Sequence, residues 1–424
     1  MALDVLRNRD RNTILVGFAL SLVSWVTCAA FFAWLAYRFS KQGIPGCIKA
    51  LLIITLRHLL SPVVAASLNN IVQTEKWLII FWLSYLILVK AKEYTRPKGF
   101  TNFGSMLALF CMYVIVTSVF VSSYPTVSIF KVISYAVPFY SVALGVAVTN
   151  AECNWIHYMR QAMSYVVYAS VLTIPFKGRF NVVNGDLQGV LNHPNTAGIF
   201  LAIFVACLLF DASGEDDPSP LFYATLLASF FMLFATKSRT GMFSAIICLF
   251  LYWYGLPGNQ RFSGVGLAIV LCLIVGVIIV AFPSSELGAK INSFVFKREE
   301  MGIEDIFDSR EELMETSKRK LAHNPLFGSG FGVPYVSALN DWKLATNMPY
   351  ETGNMYYAIL GDVGYLGAAL FVAYMLSILV VTDKKHLVLF AIPIIISMGE
   401  MAFFATNNVA ILYYVFYGLC LSEA

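Results

Sequence analysis

Apolar runs of about twenty residues recur along this chain from Asn12 to Leu421, parted by short polar links, and each is near the length a helix needs to cross roughly 30 Å of hydrocarbon. Strands cannot account for runs of that length. Charged residues make up 13% of the 424 and hydrophobic residues 58%, where a soluble domain carries about 25% charge. The chain therefore reads as an all-α polytopic membrane protein. Spans are expected at 13–36, 77–91, 103–122, 128–149, 155–176, 195–211, 219–236, 240–256, 263–283, 353–381, 387–404 and 407–421. A further stretch, 50–69, contains Arg57, His58 and Pro62. The total is about twelve to thirteen transmembrane helices. They divide into an N-terminal bundle over 1–283, a large outer loop with short helices over 284–352, and C-terminal helices over 353–424.

Composition also excludes some classes. The formal charge is +4, but the basic residues are scattered among helix ends, which suits a membrane surface and gives no nucleic-acid patch. The eight cysteines show neither zinc-ligand nor redox spacing, so neither a disulfide nor a metal is expected. The first apolar run is long and lacks a small-residue cleavage site, which reads as a retained span.

Short basic links set orientation. KAKEYTRPKG at 90–99, LPGNQRFSG at 256–264 and TDKKH at 382–386 fall on one side when spans are counted, and that side is cytoplasmic. The connections 177–194 and 284–352 then face outward, as does the turn that holds Arg239. The basic RNRDRN at the N terminus joins the cytoplasmic side if 50–69 does not cross, and faces outward if it does.

Within the long outer connection, DSREELMETSKRKLAHNP at 308–325 predicts a helix. Asp308 or Ser309 supplies the cap, acidic residues fill the first turn, and Lys318, Arg319 and Lys320 fill the last, which complements the helix dipole. Leu313 and Leu321 mark its inner face, and Pro325 stops it. PLFGSGFG then reads as a glycine-permissive loop, and lacks the Lys-Ser/Thr of a phosphate-binding loop.

Four polar clusters fall on the outer side, where ionisable groups at membrane depth point to function. Arg239, in ATKSRTGMFSA, offers a planar fork of donors suited to phosphate oxygens, while its neighbour Lys237 snorkels. His193-Pro194-Asn195 opens a span, where His193 suits a polar ligand and Asn195 or Thr196 suits a cap. Lys177 and Arg179 lie at the start of the same connection and serve as headgroup anchors or as added positive charge. Arg310 opposes the dipole at a helix start and asks for an anion, supplied either by its acidic neighbours or by a phosphate. Glu351 and Asn354 open the span 353–381, with Thr352 as its expected cap, and a carboxylate at such a mouth suits a general base.

Taken in order, GVLNHPNTAG, KSRTG, the SR-start helix, NPLFGSGFG and GNMYYAILGDVGYLG resemble the bacterial O-antigen ligase and O-antigen or exopolysaccharide polymerase superfamily over roughly residues 180–380. The resemblance implies a GT-C-like, metal-independent inverting glycosyltransferase without a cofactor. It implies a place in the bacterial inner membrane with the active site facing the periplasm, and undecaprenyl-diphosphate-linked oligosaccharide as donor and acceptor. It further implies that Arg239 and Arg310 engage the diphosphate, with Lys177, Arg179, Asn195, Asn354 and Tyr356 around the substrate. Ligases of the superfamily carry a histidine just before the asparagine-tyrosine segment, and this chain has Glu351-Thr352-Gly353-Asn354 there. A polymerase is therefore expected, with Glu351 as base and His193 as the rival, and with a chain-length regulator as a possible partner. The alternatives are a ligase acting on lipid A-core and, from another class, a transporter of lipid-linked sugar, although no internal repeat of the kind transporters show is visible.

Overall fold

A computed structural model of the chain describes residues 8–176, 186–212, 219–255, 311–333, 353–406 and 408–422. Among the described residues there are α-helices and no strands, apart from one isolated antiparallel bridge between Leu60 and Leu191. In chain order the helices are α1 (Asn8–Leu20), α2 (Trp25–Ser40), α3 (Gly43–His58), α4 (Asn70–Lys90), α5 (Lys98–Val121), α6 (Pro125–Thr149) and α7 (Trp155–Leu172). They continue as α8 (Pro194–Ala212), α9 (Pro220–Ala235), α10 (Arg239–Gly255), α11 (Glu311–His323), α12 (Met355–Leu379), α13 (Leu387–Gly399) and α14 (Ala410–Ser422). The fold is that of an all-α polytopic membrane protein, and five of its helical stretches, Asn70–Glu93, Lys98–Val121, Pro125–Thr149, Pro194–Ala212 and Met355–Leu379, are long and apolar enough to cross a membrane.

Which helices lie inside the bundle follows from how their apolar residues are distributed. Helices α8 and α14 are apolar all round and buried almost from end to end, as expected of helices enclosed by others. Helix α6 is buried along most of its length and packs against α3, α4, α5 and α14. By contrast α5 exposes Leu109, Met112, Val116, Val119 and Phe120, and α4 exposes Leu78, Trp82 and Tyr85. In hydrocarbon such faces carry no penalty, whereas unpaired backbone groups do.

Successive helices alternate between two ends of the bundle. At one end Lys90 Nζ donates to Ser40 O (2.7 Å), Asn150 Nδ2 donates to Ser422 Oγ (3.1 Å), and Gly255 lies against the backbone of Lys384 and Lys385. This end gathers the basic links 90–99 and 382–386. At the other, Ser61 N donates to Val190 O (2.9 Å) and Asn192 N to Leu59 O (2.9 Å), which pins the chain just before α8.

Two expected spans differ besides 353–381, which is broken at Gly364. The run 13–36 is not one helix: it breaks at Ser21–Ser24, and Ser24 caps α2 through a capping box with Thr27. The carbonyls freed at this break are taken up by the stretch 50–69. Arg57 Nη2 donates to Ser21 O (2.9 Å) and Ala66 O (2.9 Å), and Ala66 N donates to Leu22 O (2.8 Å). Arg57 is thus wholly buried and serves as a backbone cap, while α3 runs the length from the basic end to the other. With α1 and α2 forming a hairpin, the start of α1 runs back toward the basic end. The run 387–404 is the second difference, because α13 stops at Gly399 and Glu400 turns to extended backbone. The expected span 263–283 lies outside the described residues.

Replacing Arg57 with methionine removes the donor and leaves buried carbonyls unpaired, at a cost of about 2–3 kcal/mol. A clear drop in the thermal midpoint of the detergent-solubilised protein is expected; an unchanged midpoint would mean that other donors reach Ser21 and Ala66.

Candidate functional site

Four helix ends meet at the end of the bundle opposite the basic links. Helix α8 begins with proline at its first position, where a missing N–H costs nothing. The residue before it, His193, is the cap: its carbonyl accepts from Ala197 N (2.9 Å) and its Nδ1 accepts from Asn195 N (3.1 Å). That bond places the lone pair of the ring on Nδ1 and the proton on Nε2. Asn195, expected as a cap, instead donates from Nδ2 to Glu400 Oε1 (3.0 Å).

Helix α10 begins with Arg239, a half-buried cation at a helix N terminus, where the dipole disfavours it. The turn before it is tightly wound. Lys237 stands at φ 50, a left-handed conformation that non-glycine residues rarely adopt, and its Nζ pairs with Asp186 Oδ1 (2.8 Å). Ser238, buried, caps α10 by accepting from Gly241 N (3.3 Å). A Cβ on Gly241 would stand 2.5 Å from the backbone carbon of Gly198, so the first turns of α8 and α10 cross in backbone contact.

Helix α12 is capped by Asn354, whose Oδ1 accepts from Tyr356 N (2.8 Å) and Tyr357 N (3.4 Å). This is the cap that the sequence suggested for Thr352, a residue outside the described set. Asn354 Nδ2 donates to Met398 O (3.0 Å), so both ends of its amide are engaged. Tyr356 and Tyr357 are exposed beside it, with Lys318 Nζ 5.7 Å from the Tyr357 ring centroid.

The last residues of α13 gather these ends. Met398 accepts from Asn354 at the start of α12, and Glu400 accepts from Asn195 at the start of α8. Between them, a Cβ on Gly399 would stand 2.2 Å from Thr240 Oγ1 at the start of α10. Three helix N termini, each carrying about half a positive charge, thus surround one helix C terminus, with Arg239 among them. The Glu400 carboxylate and the end of α13 offset part of this positive potential, and the Arg239 guanidinium is the group in the cluster that suits an anion with several oxygens. Among the described residues no three His, Cys, Asp or Glu side chains converge to hold a metal.

Beside this cluster the outer connection is docked into α12. That helix is broken at Gly364 (φ 66, ψ −173), which frees backbone groups on both sides. Ser329 N and Gly330 N donate to Gly361 O and Asp362 O (3.0 Å each), while Tyr365 N and Leu366 N donate to Pro325 O (2.8 Å) and Leu326 O (3.3 Å). NPLFGSGFG is therefore the hydrogen-bonding partner of a broken membrane helix. Lys320, placed in the last turn of α11 by the sequence, is fully buried and pairs with Asp362 Oδ1 (2.6 Å). Burial holds the Lys320 ammonium below the usual lysine range, and the Asp362 carboxylate pulls it back up. The inner face of α11 runs through Met314, Ser317 and Lys320, with Leu321 only half-buried.

The structure thus brings together His193, Asn195, Arg239, Asn354 and Tyr356. Glu351, Arg310, Lys177 and Arg179 lie outside the described residues. Sequence reasoning passed over Glu400 and Asp362. Both are lone carboxylates inside runs read as spans, and that rarity is itself the signal that could have marked them.

Comparison with known families agrees with the motifs. Residues 224–372 match the family model described as O-antigen ligase, a segment that includes α10 with Arg239, α11, the docked loop and the break in α12. The match supports the O-antigen ligase and polysaccharide polymerase superfamily, whose members are glycosyltransferase-type enzymes acting on lipid-linked oligosaccharides. No curated protein matches the chain.

Gly241→Ala would drive a methyl group into the backbone of Gly198, which no rotamer change relieves. A lower thermal midpoint is expected, whereas Thr196→Ala, on the same turn of α8, should leave it nearly unchanged. Equal midpoints for Gly241→Ala and wild type would rule out the close crossing of α8 and α10.

Proposed function

We propose that this protein is a polysaccharide polymerase of the bacterial inner membrane that joins undecaprenyl-diphosphate-linked repeat units on the periplasmic side. The observation that carries this reading is the cluster of three helix N termini and Arg239 around the end of α13. A diphosphate has the charge and oxygen count to lie against Arg239 at this point. In this reading the diphosphate of the chain-bearing lipid rests against Arg239, with Arg310 as the second cation contributed by the outer connection.

A sugar hydroxyl of the incoming lipid-linked unit attacks the anomeric carbon of the growing chain. The new glycosidic C–O bond forms as the C–O bond to the diphosphate breaks on the opposite face, so configuration inverts. Charge builds on the departing diphosphate, and donors already aimed at it stabilise the transition state without reorganisation. The proton of the attacking hydroxyl goes to the Glu351 carboxylate. His193, the rival base, has its Nδ1 lone pair occupied by Asn195 N, which favours Glu351. Tyr356 and Tyr357, exposed at the start of α12, offer faces for sugar rings.

The second reading, a ligase that moves the finished glycan to lipid A-core, is favoured by the description of the matching family model. It is disfavoured by Gly353 preceding Asn354 where ligases carry histidine.

Reconstitution in liposomes with lipid-linked repeat units, resolved on a gel, separates the readings. A ladder from these units alone is the expected result, and a single transfer that requires lipid A-core would establish the ligase instead. Arg239→Ala should abolish the ladder with insertion unchanged, and Arg239→Lys, which keeps charge but loses the planar fork, should retain only a small fraction of the rate. Full activity of Arg239→Ala would remove the diphosphate assignment. Glu351→Gln should stop elongation while His193→Ala, which loses a cap, should keep most of it; the reverse pattern would move the base role to His193.

A further inference from the structure

Helix α12 is two helical pieces, divided at Gly364. The outer piece, from Met355 to Val363, carries Asn354, Tyr356 and Tyr357 at its start and is held at two points. Its top hangs from the end of α13 through Asn354 and Met398. Its base is held by the buried charges. Asp362 Oδ1 takes the proton donor of Lys320 (2.6 Å), and Asp362 Oδ2 accepts from Gly332 N (2.7 Å). Lys320 Nζ also donates to Val333 O, and Lys131 Nζ, from α6, donates to Gly332 O. Helix α11 lies directly along this piece, since a Cβ on Gly361 would stand 2.7 Å from Ser317 O.

The chemistry chosen for this clamp is costly. A buried ion pair contributes little net stability, and well-packed apolar residues of similar volume often serve as well or better. A pair that only held the fold would have cheaper substitutes. What apolar residues cannot do is fix the Gly332 N–H and the Val333 carbonyl in one orientation.

We infer that Lys320 and Asp362 are positioning residues for the glycosyl transfer: their ion pair locks α11, the docked loop and the outer piece of α12 into one unit at the mouth of the site. The inference rests on the transfer reaction proposed above. Arg239 stands on α10, outside this unit, whereas Arg310 directly precedes α11 and Tyr356 and Tyr357 lie within the unit, so loosening the clamp keeps the Arg239 contact and disturbs the groups that orient the acceptor against it. The loss therefore falls mainly on kcat, with a smaller rise in the KM for the lipid-linked substrate.

The test uses the full-length double variant Lys320→Met/Asp362→Leu, because either single change strands a buried charge and risks misfolding. Thermal midpoint, polymerisation kinetics in liposomes, and tryptic cleavage at the exposed Lys318 and Arg319 are measured together. The expected result is a midpoint below that of wild type but above that of either single variant, faster cleavage in α11, and kcat lower by about tenfold or more with a smaller change in KM. Wild-type kcat in a folded double variant overturns the inference and leaves the polymerase reading standing. A midpoint collapse equal to that of the single variants also overturns it, since the pair would then be a folding element. If wild type itself makes no polymer from authentic units, the polymerase reading falls, and cleavage alone decides the clamp: unchanged cleavage in the double variant overturns it.

Discussion

The arrangement depends on how α13 ends. A helix terminus leaves four carbonyls without intrahelical partners, and in lipid each would be costly. Here the terminus is closed in part by the side chain of Asn354, while Glu400, the first residue beyond it, takes the Asn195 amide. Gly399 between them lets Thr240 approach to a distance that any side chain would block. One C terminus thus fixes the mutual position of three N termini, and its negative dipole end offsets their positive ends. Helices α8 and α10 also touch each other directly at this end, and the end of α13 is what ties α12 to them.

The same rule, that backbone groups at membrane depth need partners, explains the docked loop. A break in a membrane helix is tolerated only where other protein satisfies it. NPLFGSGFG does so with four main-chain bonds, and its glycines serve this purpose directly. Gly328 at φ 74 lies so close to Asp362 that a Cβ there would stand 2.4 Å from its carbonyl oxygen. The outer connection is therefore built into the transmembrane bundle at its root and does not merely sit above it.

Much of this was legible in the sequence, and the failures share a cause. The apolar runs gave the helical membrane class, and the ordered motifs gave the end at which the polar residues gather. Span boundaries failed where a partner distant in sequence overrode local pattern. Ser21-Leu22-Val23-Ser24 is apolar enough to continue a span, and only Arg57 and Ala66 make the break tolerable. Asn195 and Thr352 were reasonable caps by residue type, but His193 caps α8 while Asn195 is drawn to Glu400, 205 residues away, and Asn354 caps α12 through its own Oδ1. Lys320 fitted a dipole argument that says nothing of burial. Its burial depends on an aspartate 42 residues further on, and no local window contains that information.

Local rules are broken in one place with unusual density. Lys237 takes a left-handed conformation, Arg239 stands at the wrong end of a helix dipole, and Gly399 and Gly241 give up side chains in otherwise apolar helices. Each choice costs stability by itself, and proteins keep such choices where function compensates for them. A fold selected for packing alone would replace Arg239 with an acidic or small polar residue and relax the turn before it. An anion brought to this point would be stabilised by the same dipoles and the same guanidinium. The strain at the mouth is thus what an enzyme needs if its substrate arrives carrying a diphosphate and leaves that diphosphate behind.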